Sequence, residues 1–328
     1  MTGPPRILVI GDVMTDVIVR PEGPLARGSD RRASVTVQPG GSAANQAAWL
    51  ASFGVKVDFV ARVGAADLKS ETARFKTIGV TPHLVGDRTH KTGRLIALID
   101  PDGERSFLTD RGANEALEAR DIPDALIANA SHISLSGYSF FAPSPRAAVL
   151  DVMRRTGDKP ISIDPASAEF LREVGADKFL AWTRGATILF PNEEEAAVLA
   201  GSTDPETQCA RLAALYPLVV IKRGAAGAVA AQGARRWHLK ASKSEPLDMS
   251  GVGDPGVAAL LAQSERRFPV NNRRKLEVVD TTGAGDAFVA GFLAARIVGA
   301  EIDAALKRAV VAGSEAAFKV GGRPRGPR

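Results

Sequence analysis

The chain has 328 residues, 45% of them hydrophobic, which is enough for a large core; α/β folds reach this length as one unit, so a single domain over 1–328 is expected. Its formal charge of +5 would suit nucleic acid, but Lys and Arg are spread along the chain and Tyr138 and Tyr216 are the only tyrosines, so anionic small molecules explain the charge without a nucleic-acid partner. One cysteine, Cys209, no leader pattern in the opening residues and no apolar run near the roughly 20 residues that cross a bilayer predict a soluble, cytoplasmic protein with no membrane partner.

Taken in chain order, the first strand is ILVI at 7–10. Residues 17–38 then alternate apolar and polar side chains, as do 93–110, where Pro-Asp-Gly at 101–103 reads as a hairpin turn. Together, about 17–38 and 91–112 predict a small β-sheet projecting from the core, suited to act as a lid. Between them come the helix SAANQAAWLASFG at 42–54 and the strand VDFVARVG at 57–64. HISLSG at 132–137, ISID at 161–164, TILFP at 187–191 and LVVIKRG at 218–224 continue the strands, with helices such as PRAAVLDVMRR at 145–155 between them. Strands apolar throughout, separated by amphipathic helices, imply a mainly parallel sheet covered on both faces, with ligands beyond the strands' carboxyl ends. After the strand-like RRWHLKA, residues 241–275 form an insertion containing Gly-Val-Gly-Asp-Pro-Gly and a helical ALLAQSERR. The basic tail GGRPRGPR at 321–328 reads as a frayed terminus.

Chemistry concentrates at DTTGAGDAF, 280–288. LEVVD at 276–280 reads as a buried strand, TTGAG as a tight turn, and DAFVAGFLAARIV as a helix with Asp286 in its first turn. Glycines let backbone N–H groups crowd around an anion, and the helix N-terminus adds favourable potential. A carboxylate there would repel a resting phosphate; it makes sense as a base that takes a proton from an attacking hydroxyl while the N–H groups stabilise transferred phosphoryl charge. A dinucleotide loop fits less well, since Phe288 stands where a third glycine belongs, and no G-x-x-x-x-G-K-[ST] occurs. Simple helix capping by Asp286 stays open on these residues alone.

PGGSAANQAAWLASFGVKVDFVARVG (39–64) resembles the first signature of the ribokinase-like, or PfkB, carbohydrate kinases, and DTTGAGDAFVAGF the second. The resemblance covers nearly the whole chain and implies a three-layer α/β/α fold with a small β-sheet lid, and ATP-dependent phosphorylation of a sugar or sugar derivative. It implies Asp286 as the base and Gly283, Ala284 and Gly285 as the anion hole. Asp16 in GDVMTD, Gly40, Gly41 and Asn45 match the acceptor-binding positions. PNEEE at 191–195 looks like the family's N-x-x-E, which implies Asn192 near the nucleotide phosphates and Glu195 ordering Mg²⁺ through water. IKRGAAG at 221–227 looks like the nucleotide loop, with Lys222, Gly224 and Gly227, and Asp280 and Thr282 match positions that hold a monovalent cation, K⁺, in relatives.

The chain departs from the pattern in places. Met14 stands where ribokinase has a polar sugar-binding residue, so the segment looks more like fructokinases, ketodeoxygluconate kinases or heptose-phosphate kinases. Met14 would also suit the base of a nucleoside. Ala65 replaces an Asp common in relatives, and Arg94, Arg105 and Arg111 on or beside the lid suit an anionic group on the acceptor. The histidines His83, His90, His132 and His238 lack paired-ligand spacing and read as structural. A primary-alcohol acceptor and a homodimer through the lid are expected. The alternatives are a nucleoside kinase of the same fold and a catalytically silent sugar or nucleotide sensor.

Overall fold

The computed structural model describes residues 4–25, 27–100, 105–241, 282–318 and 321–324. Its strands are β1 (Arg6–Gly11), β2 (Met14–Pro21), β3 (Ala33–Gly40), β4 (Lys56–Gly64), β5 (Thr81–Asp87), β6 (Gly93–Ile99) and β7 (Arg105–Asp110). They continue with β8 (His132–Ser136), β9 (Ile161–Asp164), β10 (Ile188–Leu189), β11 (Leu218–Lys222), β12 (Ala228–Gln232) and β13 (Arg235–Leu239). Nine of them form one sheet in the order β13-β12-β11-β10-β9-β8-β1-β4-β5. Pairing is parallel from β11 to β5, and β12 and β13 are added antiparallel at one edge.

The sheet is covered on both faces, which is why its central strands are apolar throughout rather than alternating. One face packs Ile7, Val9, Phe59 and Val220 against the helices Ser42–Ser52, Ala284–Ile297 and Ile302–Ala317. The other packs Leu8, Ile10, Leu135 and Ile163 against the helices Pro143–Arg155, Glu193–Ala200 and Pro205–Ala213. Each core strand sends alternate residues to opposite cores, as Ile7 and Leu8 do within β1. The carboxyl ends of the parallel strands therefore form one rim, with Gly11, Gly64, Ser136, Asp164 and Lys222 as its last strand residues.

A second sheet, β3-β2-β6-β7, stands over that rim. Its two central strands, β2 and β6, pair in parallel, and β3 and β7 flank them antiparallel. The predicted lid therefore forms, but it starts at Met14 and ends its second strand at Gly40, wider than 17–38. Asp16 thus lies inside a lid strand, opposite Gln38. The alternation missed these residues because Asp16 is a charge on the face turned toward the core. One lid face carries Val35, Val37, Ile96 and Leu108, all exposed.

β5 and β12 have no counterpart among the expected strands; TPHLVGD is broken by Pro82 and a glycine, and AVAAQ is alanine-rich, so neither shows β-propensity. The tail differs from expectation more sharply. Gly321–Pro324 is packed against the molecule: Trp49 Nε1 donates to Gly322 O at 3.0 Å, and Arg323 Nη2 donates to Gly40 O at 2.9 Å. Composition suggested fraying, but two glycines fit where a side chain would not. The 242–275 part of the insertion, the expected strand at 276–280 and Asp280 lie outside the described residues. Among the described residues no helix is long and apolar enough to cross a membrane.

Candidate active site

The site grows from Asp12, the residue after β1. Asp12 is 2% exposed and stands in front of the helix Ser42–Ser52, whose first N–H groups lack partners within the helix. Its carboxylate accepts from the N–H of Ser42 at 3.1 Å and of Ala43 at 3.2 Å, and from Ser136 Oγ at 3.0 Å, while its carbonyl accepts from Ala44 N at 3.2 Å. Gly41 permits this approach: its φ is 97°, and a Cβ there would press on the Asp12 backbone. A buried aspartate thus fixes the first turn of a helix that carries Ser42 and Asn45.

Both of those side chains meet Asp286. Ser42 Oγ donates to Asp286 Oδ1 at 2.6 Å, and Asn45 Nδ2 donates to Oδ2 at 2.9 Å. Asp286 lies in the first turn of the helix Ala284–Ile297, capped by Gly283 with φ 76°. The first intrahelical bond is donated by Ala287 N, so the N–H groups of Ala284, Gly285 and Asp286 precede it and aim out of the helix start. Burial drives the Asp286 carboxyl up to about 7, against the lowering effect of the Ser42 and Asn45 hydrogen bonds. Near neutral pH it can hold or release a proton, as a general base must.

Opposite stands a buried charge cluster. Lys222, at the end of β11, donates to Asp164, at the end of β9, at 2.7 Å. Burial works against the Lys222 ammonium, but Asp164 and Glu195 outweigh it and raise its pKa. Asn192 and Glu195 form a reciprocal cap on the helix Glu193–Ala200: Asn192 Oδ1 accepts from Glu195 N, and Glu195 Oε2 accepts from Asn192 N, both at 2.8 Å. Asn192 Nδ2 also donates to Glu195 Oε1 at 2.8 Å. Of the three glutamates in PNEEE, Glu195 alone is buried, and burial pushes its pKa up; Glu193 and Glu194 pair outward with Arg223 and Arg172.

These groups line one cleft of about 260 Å³ beneath the lid, together with Met14, Asp16, Gly41, Leu95 and Gly283. Asp16 is 6% exposed, and Gly40 packs so closely on its carboxylate that a Cβ would fall on it. Thr282 and Gly285 also line the cleft. Gly224 (φ 49°) and Gly227 (φ 94°) shape the turn after Lys222 and are not among its lining residues. Of the three arginines, Arg94 is exposed, whereas Arg111 turns inward, 3.4 Å from Asp12 Oδ2 and 4.2 Å over the Tyr138 ring. A smaller cavity of about 150 Å³ adjoins, sharing Asp12 and Tyr138 and walled by Phe141 and Phe170.

Sequence reasoning passed over Asp12, Ser42, Asp164 and Tyr138. For two of them a signal existed, since Asp12 and Asp164 are acidic residues closing apolar strand runs, RILVIGD and ISID, at the end where ligands collect. His83 and His132 have structural partners, Asp58 at 2.8 Å and Ser162 at 2.9 Å.

The sequence matches the model of the pfkB family carbohydrate kinases over residues 4–267 and 259–325. It is 29% identical over 322 residues to an ATP-dependent ribose-1-phosphate kinase of Halopiger xanaduensis, covering 97% of this chain and 94% of that protein. It is 30% identical over 310 residues to the ribokinase of Bacillus subtilis, covering 92% and 89%. Adenosine kinase from Sinorhizobium meliloti shares the fold with a TM-score of 0.80 at 23% identity, covering 98% of this chain and 96% of that one. So does an E. coli protein solved in complex with ATP and Mg²⁺, with a TM-score of 0.77 at 21% identity over 98% and 94%. The chain belongs to the pfkB family of carbohydrate kinases.

Proposed function

We propose that this kinase transfers the terminal phosphoryl group of ATP to a hydroxyl, a primary alcohol, of a sugar or sugar derivative held between the lid and the sheet, with Asp286 as the general base. The observation that carries this reading is Asp286 itself: a buried carboxyl at a helix start, held at both oxygens and raised to about 7. Asp16, Gly41 and Asn45 offer acceptor contacts on the lid side, with Gly40 seating Asp16. The N–H groups of the turn Gly283-Ala284-Gly285 stabilise negative charge at the position the phosphoryl group must cross. Lys222 supplies a positive charge on the nucleotide side, and Asn192 belongs to the same wall; Gly224 and Gly227 shape the loop beside it.

The cleft fits a magnesium-bound nucleotide. Asp164 is paired with Lys222, and Glu195, buried beside them, adds a second negative charge when it gives up its proton to a bound cation. Both Glu195 oxygens are engaged by Asn192, which suits binding through water. Mg²⁺, when bound, neutralises phosphate charge. Thr282 is the described half of the pair expected to hold K⁺.

A nucleoside acceptor is the second reading, favoured by the adjoining cavity, whose Tyr138, Phe141 and Phe170 walls suit a planar ring. The exposed apolar lid face of Val35, Val37, Ile96 and Leu108 supports a homodimer in which two lids pair. A buried Cys209 and ATP chemistry support a cytoplasmic location. ATP consumption over a panel of ribose, ribose 1-phosphate, fructose, cytidine and adenosine tests the reading; no turnover with any class of acceptor would reduce the chain to a binding module.

A further inference from the structure

The tail segment Gly321–Pro324 touches three parts of the site at once. Arg323 reaches the lid root through Gly40 O at 2.9 Å and lies 4.8 Å over the Phe75 ring. Its Nε donates to Asn45 Oδ1 at 3.4 Å. Gly322 lies against the Asn45 carboxamide on one side and Gly283 on the other, so a Cβ at either glycine would collide. Trp49 Nε1 holds Gly322 O at 3.0 Å.

The chemistry of this contact is directional. A carboxamide has one accepting end and one donating end, and a guanidinium only donates. Burial lowers the Arg323 pKa only to about 10, so it stays charged at neutral pH. Only the Asn45 oxygen can face it, and the Asn45 NH₂ must then face the other way, toward Asp286, where it donates at 2.9 Å. Turned over, the amide would set its oxygen against a carboxylate oxygen and leave the base without one of its two side-chain donors.

We propose that Arg323 is a positioning residue for the general base: with Gly322 beneath it, it fixes the Asn45 amide in the orientation that serves Asp286, and ties that orientation to the lid root at Gly40. The inference rests on Asp286 being the base of a working kinase.

The test is a double-mutant cycle on the full chain, using ATP and whichever acceptor of the panel is turned over fastest. Arg323→Ala should lower kcat by about tenfold or more, the scale of one lost hydrogen bond to a charged group, with KM for ATP unchanged. Asn45→Ala should lower kcat at least as much, and the double variant should match Asn45→Ala alone. Arg323→Lys, which keeps the charge but replaces the planar fork that reaches Asn45 Oδ1 and Gly40 O from two nitrogens with a single one, should fall between, and it carries the cycle if Arg323→Ala does not fold. Gly322→Ala should mimic Arg323→Ala in kcat. Multiplying effects of the Arg323 and Asn45 changes, or a kcat unmoved by Arg323→Ala, would overturn the positioning role. A wild-type protein that phosphorylates nothing would instead overturn the kinase reading beneath it.

Discussion

Ser42 and Asp286 stand 244 positions apart in sequence and 2.6 Å apart at Ser42 Oγ and Asp286 Oδ1. The contact joins the first turns of two helices that pack on the same face of the sheet. It places a hydroxyl donor on the carboxylate that the glycine turn presents to the cleft.

Asp286→Asn removes the proposed base while leaving the cleft's shape. Its kcat should drop by about two to four orders of magnitude with nucleotide binding retained, read by steady-state kinetics and calorimetry. The wild-type profile of kcat/KM should rise with pH through about 7 and then level, because Asp286 in the proposed role acts as the carboxylate. Burial raises the folded pKa above the ordinary aspartate value of 3.8, so the folded state binds the proton more tightly and stability falls as pH rises from there to about 7. The Asn variant escapes that loss, and its thermal midpoint should exceed wild type at pH 8.

Gly40→Ala probes the proposed acceptor side. A Cβ there must displace the Asp16 carboxylate, while the backbone itself tolerates alanine. KM for the acceptor should rise by about tenfold or more, with KM for ATP unaffected. Equal changes in both constants would show that Gly40 acts on the fold rather than on Asp16.

Lys222→Met leaves Asp164 and Glu195 buried without their cation. Removing one partner of a buried pair costs about 3–5 kcal/mol, which denaturant unfolding would register. Activity should fall as well, through the nucleotide: KM for ATP rises more than KM for the acceptor.

The lid face bearing Val35, Val37, Ile96 and Leu108 should hold a dimer at micromolar concentration in sedimentation. Val37→Lys should shift it toward monomer, since a charge on the β3 edge opposes pairing. A wild-type monomer under those conditions would remove the dimer.

The central sheet and the glycine turn before Asp286 were legible because each is a local pattern: apolar runs of strand length, and glycines where a backbone must crowd an anion. Residues such as Asp12 and Ser42 were not, because Asp12 acts on a helix thirty or so positions later and Ser42 reads as an ordinary first-turn serine. The lid's boundary slipped for a related reason. Asp16 breaks the apolar alternation at the point where the strand turns its charged side to the cleft. Arg323 was hidden by composition, since a Gly-Pro-Arg tail looks unstructured until Trp49 and Asn45 are found beneath it.

The chain crosses between core and lid four times: after β1, at Gly40–Gly41, at Gly93 and at Gly112. Asn114 cross-braces three of those crossings. Its Oδ1 accepts from Val13 N at 2.9 Å, and its Nδ2 donates to Val13 O at 2.9 Å and Arg111 O at 2.8 Å, with Gly93 packed against the same amide. Strands tied at their roots cannot tilt one at a time. Asn114 therefore couples the roots of β2, β6 and β7, so that whatever displaces one of these three strands at its base acts on the other two as well.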